Sequence, residues 1–241
     1  ASPSEIDLAE EDRGDGVGAD VIARSIQETI EQNSATEQAI SLDPSSREED
    51  ATEAPSLDIY LPPVRRLNLS PAEYESGIYL QQACLVLLHP FLRLYLSNVG
   101  LLSDDTFVDE SAQQMAIYLL YALATGRTDA AEYELVLPKL LCGWPLSEPV
   151  VRPVGFEESA IAEGEQLLQT VIDYWEVLKD TSLDGLREGF LQREGKLTRT
   201  EGGWQLRVEQ KAIDVLFSRL QWGISMVTLP WMDELLTVEW A

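Results

Sequence analysis

The aromatic residues divide this chain into two parts. All 19 tryptophan, tyrosine and phenylalanine residues lie at Tyr60 or later, so residues 1–59 contain none. Residues 1–59 instead hold 16 acidic and 3 basic residues and are rich in Ser, Thr, Ala, Gly and Gln. A segment of this composition buries too little apolar surface to offset the entropy that ordering costs. We therefore expect residues 1–55 to form a mostly disordered acidic arm or linker, and residues 56–241 to form a globular α+β module.

One island in the acidic arm has a helical pattern. Val21, Ile22, Ile26 and Ile30 fall on one face of a helix over residues 20–32. Two interpretations stay open: a transient helix, or a docking helix that folds on a partner protein. Under the second interpretation, Ile22 and Ile26 are candidate interaction residues.

The net charge of −25 excludes two classes of partner. Nucleic acids and anionic membrane surfaces select basic faces, so we expect neither partner. The longest charge-free stretch, residues 76–92, is shorter than the ~20 apolar residues that a membrane-spanning helix needs. It is typical of buried core, so we expect no membrane insertion. The chain begins Ala-Ser-Pro-Ser, without Met and without a basic region followed by an apolar one, so we expect no signal peptide. We expect the chain to be a fragment or a processed chain.

Apolar periodicity, caps and breakers predict a run of helices after residue 70. The predicted helices cover residues 71–88, 90–98, 109–125, 130–142, 157–179 and 182–192. Asp109 is placed to cap the third helix and Gly126 to end it. The helix over 157–179 is the most amphipathic, and Trp175 lies on its apolar face.

The apolar period changes from 3.6 to 2 near Leu197. Two alternating segments flank Glu201-Gly202-Gly203, which predicts a β-hairpin over residues 197–208. Residues 210–220 return to helical spacing, and two short strands are predicted at about 224–229 and 235–240. The predicted architecture is a mostly helical body followed by a small C-terminal antiparallel sheet.

The residues that usually carry chemistry are scarce. The one histidine, His89, precedes a proline at a predicted kink, and the two cysteines, Cys84 and Cys142, lie in apolar helices without C-x-x-C spacing. The glycines of residues 14–18 lack dinucleotide-binding spacing, and the acidic residues of 104–110 lack that of a calcium loop. We therefore expect no enzyme, no cofactor and no metal site. An enzyme that uses His89 or the acidic clusters is the least favoured alternative.

All six tryptophans lie in the last hundred residues. One interpretation is packing in the core and the sheet. The other is a partly exposed aromatic face for a protein partner, because tryptophan concentrates at interface hot spots. Trp204, Trp222, Trp231 and Trp240 are the candidate interaction residues under that interpretation. Residues 229–240 also form an apolar sheet margin that an edge strand of another chain could extend.

Four segments, in this order, resemble one protein family. They are LVLLHPFL at 85–92 with GLL at 100–102, EYELVLPKLLCG at 132–143 with PL at 145–146, LREGFLQREGKL at 186–197, and LPWM at 229–232 with VEW at 238–240. Together they resemble the contractile injection system tape measure protein family, which belongs to bacterial phage-tail-like particles. The resemblance covers about residues 70–240.

The resemblance implies a structural role without catalytic residues. It implies that the protein engages the inner tube and the baseplate or spike hub and helps set tube length. It also implies assembly in the bacterial cytoplasm, residence inside the tube and baseplate, and self-association. An alternative from another class is an acidic assembly chaperone or cargo adaptor that leaves before the particle matures, which the low pI and the island at 20–32 would suit.

A molecular ruler is expected to be a long helix or an extended chain, which rises ~1.5 Å per residue when helical. Residues 70–240 instead have the pattern of a compact fold. We therefore expect this region to be a globular terminal module, with any ruler segment in the arm or in a longer parent chain.

Deleting residues 1–55 should leave the melting temperature nearly unchanged, because an acidic segment without aromatic residues contributes little to the core. Thermal unfolding followed by circular dichroism compares the full chain with the truncated one. A large drop in melting temperature would show that the arm folds onto the module.

Overall fold

The computed structural model of the protein describes residues 76–241. Its helices are α1 (His89–Asn98), α2 (Glu110–Thr125), α3 (Val136–Leu141), α4 (Glu158–Tyr174) and α5 (Leu183–Leu186). Short 3₁₀ helices cover Ala83–Leu88, Glu132–Leu135, Glu176–Leu178 and Ala212–Arg219, and a π-helical turn covers Arg187–Leu191. The predictions for the acidic arm, the helix at 20–32 and residues 56–75 lie outside the described residues.

The strands form two sheets within the described residues. They are β1 (Ile78–Leu80), β2 (Leu102–Ser103), β3 (Thr106–Phe107), β4 (Gly195–Thr200), β5 (Gly203–Val208), β6 (Met226–Val227) and β7 (Leu236–Trp240). The larger sheet has five strands in the order β1-β4-β5-β7-β6, and β2 and β3 form a two-stranded ribbon. The α+β class, with a helical body and a small sheet built mainly from C-terminal residues, is confirmed.

Helix α2 shows how local sequence sets the helix bounds. The Asp109 carboxylate accepts a hydrogen bond from the Ala112 backbone N–H at 2.7 Å, which caps the first turn. Gly126 ends the helix with a φ of 71°, a left-handed conformation that glycine adopts without steric cost. Ten residues of this helix are buried, so it lies inside the core as its apolar composition predicts.

Helix α4 is also confirmed, although it ends earlier than predicted. Its helical hydrogen bonds stop at Tyr174, and Trp175 leaves the helical conformation before the short 3₁₀ helix Glu176–Leu178. The apolar face predicted from the sequence, including Leu168 and Ile172, is buried. The change of conformation at Trp175 turns its indole ring toward the C-terminal half of the chain, where the indole N–H donates to the Leu216 carbonyl at 3.2 Å.

The helix predicted over residues 71–88 is not found at residues 78–88, and residues 71–75 lie outside the described residues. Residues 78–80 form strand β1, which pairs antiparallel with β4, and residues 83–88 form a 3₁₀ helix. Gly77, with a φ of 86°, precedes the strand in a conformation that an α-helix does not contain. The apolar run is buried in either structure, so its periodicity could not separate a buried strand from a helix.

The larger sheet is mixed, not wholly antiparallel. Strand β7 runs parallel to β5, with Trp204 opposite Leu236 and Val208 opposite Trp240, while the other strand pairs are antiparallel. The sequence placed residues 229–240 at an open sheet margin, but β7 lies between β5 and β6. Within the described residues, the edges of the sheet are β1 and β6.

One apolar segment joins the helices to the sheet. Every side chain of the 3₁₀ helix Ala83–Leu88 is buried. The Ala83 N–H donates to the Arg193 carbonyl at 2.9 Å, just before β4. Gly195 of β4 packs so closely on Ala83 that a Cβ on the glycine would lie 2.6 Å from the Ala83 Cβ. The sheet therefore approaches this segment at a distance that favours glycine at position 195.

Replacing Trp175 with alanine should lower the free energy of unfolding by about 3–5 kcal/mol, the usual cost of emptying a large buried site. The indole is buried and lies 4.9 Å from the Phe190 ring and 5.7 Å from the Phe217 ring, centroid to centroid. Chemical denaturation measures the change. Val177→Ala is the matched control, because Val177 is exposed two residues further on. A loss below about 1 kcal/mol at Trp175 would contradict its role in the core.

Candidate interaction surface

The four candidate tryptophans do not share one exposed face. Trp204 and Trp222 are buried, whereas Trp231 and Trp240 are partly exposed. The Trp222 indole N–H donates to the Leu87 carbonyl at 3.0 Å, and its ring meets the Phe91 ring edge-on at 5.1 Å. Trp222 therefore connects the residues before β6 to the buried segment before α1.

Trp231 and Trp240 are partly buried by contacts within the protein. The Trp231 indole N–H donates to the Leu141 carbonyl at 2.8 Å. The Trp231 carbonyl lies so close to Gly143 that a Cβ there would be 2.5 Å from the oxygen. The Trp240 ring packs 4.5 Å from the Phe217 ring. An interaction role for the four tryptophans stays a prediction, and Ile22 and Ile26 lie outside the described residues.

Trp204 contributes to a shallow groove of about 280 Å³ between the helical body and the sheet. Trp144 and Leu146 line it from the helical side, and Met232 and Glu234 from the segment before β7. The Arg199 guanidinium lies over the Trp204 ring at 4.9 Å and forms an ion pair with Glu234. The groove is therefore lined by apolar side chains together with the Arg199–Glu234 ion pair.

His89 and the two cysteines are buried, and burial favours the neutral form of each. The His89 Nδ1–H donates to the Val86 carbonyl at 2.9 Å, and burial lowers the pKa of the imidazole to about 4. Burial raises the pKa of the Cys84 thiol to about 12, and it also raises the pKa of the Cys142 thiol. Both cysteines are free thiols in the apolar core. This environment disfavours the thiolate that a nucleophilic cysteine needs.

Asp105 and Asp109, which lie near the β2–β3 turn, have partners within the protein. Asp105 forms a two-point ion pair with Arg93, with oxygen–nitrogen distances of 2.5 and 2.8 Å, and Asp109 caps α2. Among residues 76–241, no group of three or more His, Cys, Asp or Glu side chains is arranged to hold a metal ion. In the same residues, no helix has the length and apolar character needed to cross a membrane.

Two exposed tyrosines were missed by the sequence analysis. Tyr79 is 77% exposed and Tyr133 is 69% exposed, and both line one cavity beside β1. Tyr79 was placed in a predicted helix, and Tyr133 lies 54 positions further along the chain. No local pattern brings them together, because their proximity depends on how β1 pairs with β4.

Comparison with known proteins identifies the family. The family model for the contractile injection system tape measure protein matches residues 9–240, nearly the whole chain. The chain therefore belongs to this family of structural components of phage-tail-like particles. No curated protein and no solved structure matches the chain.

The family match is longer than the resemblance found in the four sequence segments. Those segments began near residue 70, whereas the match begins at residue 9 and includes most of the acidic arm. The arm is thus part of the region that the family shares, although its composition alone did not indicate any family.

The burial of His89 predicts a pH dependence of stability. Its pKa in the folded protein, about 4, lies below the ordinary value of 6.5, so the unfolded chain binds the proton more readily between these values. This contribution should therefore reduce stability as the pH falls from 6.5 to 4, with a slope of at most about 1.4 kcal/mol per pH unit.

His89→Asn isolates this contribution, because His89 is the one histidine of the chain and the amide can still reach the Val86 carbonyl. Urea unfolding of both proteins at pH 7, 6, 5 and 4 should show stability falling more steeply for the wild-type chain than for the variant as the pH falls. Parallel curves would mean that the imidazole titrates alike in the folded and unfolded states.

Proposed function

We propose that this protein is a structural module of a bacterial contractile injection particle that engages the inner tube and the baseplate hub. The observation that carries the proposal is the family match over residues 9–240. The buried, neutral state of His89, Cys84 and Cys142 is consistent with a role exercised through protein contacts. The proposed site is the bacterial cytoplasm during assembly, and then the tube and baseplate of the particle.

Residues 76–241 would anchor the protein in the particle, and another segment would measure length. The longest described helix, α4, has 17 residues and spans about 25 Å at 1.5 Å per residue. A sheet and short helices packed on one core cannot extend along a tube while they remain folded. The length-setting segment would therefore lie before residue 76 or in a longer parent chain.

Self-association is part of the same proposal. Tails of this kind are symmetric about the tube axis, and closed symmetry repeats one contact between copies. The partly exposed Trp231 and Trp240, together with Ile22 and Ile26 of the arm, remain the proposed contact residues for the tube, the hub or another copy.

Particle length in the native host tests the length-setting role. Segments of equal size are inserted or removed before residue 76 in the parent gene, and particle length is measured by electron microscopy. Length should change by about 1.5 Å per residue if the altered segment is a helical ruler. An insertion of the same size in the exposed β4–β5 turn at Glu201 and Gly202 is the matched control and should leave length unchanged.

A fixed particle length after both insertions would contradict the ruler role. Mass spectrometry of purified particles then separates the remaining functions. Peptides of this chain in mature particles would support a structural component that does not set length. Their presence in assembly intermediates and absence from mature particles would support the acidic chaperone or cargo adaptor, which the 16 acidic residues of 1–59 favour as the second candidate.

A further inference from the structure

A cavity of about 400 Å³ lies beside β1, an edge strand of the larger sheet. Strand β1 and the residues after it provide one wall, from Tyr79 to Gln82. Tyr133 and Glu134 of the 3₁₀ helix Glu132–Leu135 face it, and Glu194, just before β4, completes it. We call this cavity the β1 cleft. No arginine or lysine is among its lining residues.

The two tyrosines of the β1 cleft are unusually exposed. Tyr79 and Tyr133 are 77% and 69% exposed, so each presents most of an aromatic ring to solvent. The ring of Tyr79 already accepts a cation within this protein, because the Lys196 Nζ lies 5.4 Å from its centroid. Lys196 does not line the cleft, so its ammonium group does not fill the cavity.

Gln82 offers hydrogen-bonding groups to an occupant of the cleft. The residue is 6% exposed and lines the cleft, and its side-chain amide carries both N–H donors and a carbonyl acceptor. The carbonyl oxygen of Gln82 is thus placed to accept from an N–H donor that enters the β1 cleft.

The charges of the β1 cleft favour a cationic occupant. Glu134 is fixed in place because its carboxylate accepts hydrogen bonds from the Tyr121 hydroxyl at 3.0 Å and the Ala131 N–H at 2.8 Å. Glu194 is exposed at the rim. Two carboxylates, two aromatic rings and an amide line the same cleft, and these groups match the needs of a guanidinium or ammonium group.

The edge of β1 indicates how a partner protein would place a guanidinium or ammonium group in the β1 cleft. One side of β1 pairs with β4, and no described strand pairs with the other side. An exposed strand edge binds an extended peptide through main-chain hydrogen bonds, while neighbouring pockets select its side chains. The β1 cleft lies directly beside this edge, because Tyr79 and Leu80 belong to both.

We infer that β1 and its cleft form a docking site for an extended segment of a partner protein that places an arginine or lysine side chain in the cleft. The segment adds to the sheet beside β1, its cation lies against Tyr79 and Tyr133, and Glu194 and Gln82 accept its N–H groups. This inference depends on the geometry of residues 76–241 and not on the length-setting role, so either one can fail while the other holds.

The test uses the whole isotope-labelled chain and two synthetic peptides. The first is acetyl-Thr-Val-Arg-Val-Thr-amide, and the second replaces arginine with citrulline, which has nearly the same shape and no charge. Nuclear magnetic resonance titration should show saturable shifts at Ile78–Gln82 and Tyr133 with the arginine peptide. The citrulline peptide should bind about five- to tenfold more weakly, because it lacks the cation–π and ion-pair contributions.

Variants assign the binding to the β1 cleft. Glu194→Gln and Tyr133→Ala should each weaken the arginine peptide by about three- to tenfold, and Glu194→Gln should reduce the preference for arginine over citrulline. Glu201→Gln and Val151→Ala are matched controls, because these residues are exposed elsewhere and Val151 is 65% exposed. All four positions are on the surface, and equal melting temperatures confirm that the variants remain folded.

Four results would overturn the inference. Equal affinity for the two peptides would exclude recognition of the cation, and shifts that map away from β1 would exclude this site. Unchanged hydrogen exchange of the β1 amides at saturating peptide would exclude strand addition. The absence of any shift at millimolar peptide would exclude the docking site altogether, without bearing on particle length.

Discussion

The structure depends on how one wholly apolar segment satisfies its backbone groups. The 3₁₀ helix Ala83–Leu88 is buried on all sides, and an unpaired backbone group there would cost about as much free energy as a lost hydrogen bond. Its partners come from distant parts of the chain. The Ala83 N–H donates to the Arg193 carbonyl, the Leu87 carbonyl accepts from the Trp222 indole, and the Val86 carbonyl lies 2.9 Å from the His89 imidazole. The helical body and the sheet therefore meet along this segment.

The side chain of Arg193 provides a second connection in the same region. Its guanidinium is buried, forms an ion pair with Asp214 and lies 5.5 Å from the centre of the Phe217 ring. Phe217 in turn packs against both Trp175 at the end of α4 and Trp240 at the end of β7. Removing one partner of a buried ion pair usually destabilises a protein strongly, since the other charge stays buried. The 3₁₀ helix Ala212–Arg219, which has no fully buried residue of its own, is held in place by these contacts.

Capping residues and glycine turns in the sequence predicted the helix and hairpin whose bounds depend on neighbouring residues alone. Asp109 and Gly126 set the bounds of α2 through their own hydrogen bond and backbone conformation, and the glycine turn at 201–203 set the β4–β5 hairpin. Strand β1 and the parallel position of β7 were not predicted, because both depend on pairing with strands far along the chain. The β1 cleft was missed for the same reason. Tyr79 reaches the cleft through that pairing, whereas two of the tryptophans named from the sequence, Trp204 and Trp222, are buried.

The strand directions also determine how the domain would respond to tension. Strands β1, β5 and β7 run the same way, because β4 is antiparallel to β1 and β5, and β7 is parallel to β5. The chain enters the sheet at Ile78, level with Leu206, and leaves it at Trp240, level with Val208. These two levels differ by only two residues along the strands, whereas β1 and β7 lie three strand spacings apart across the sheet. A pull between the two ends therefore acts mainly across the strands and loads the pairing of β1 with β4 directly. Because that pairing covers only three residues, β1 is the strand that such a pull would release first.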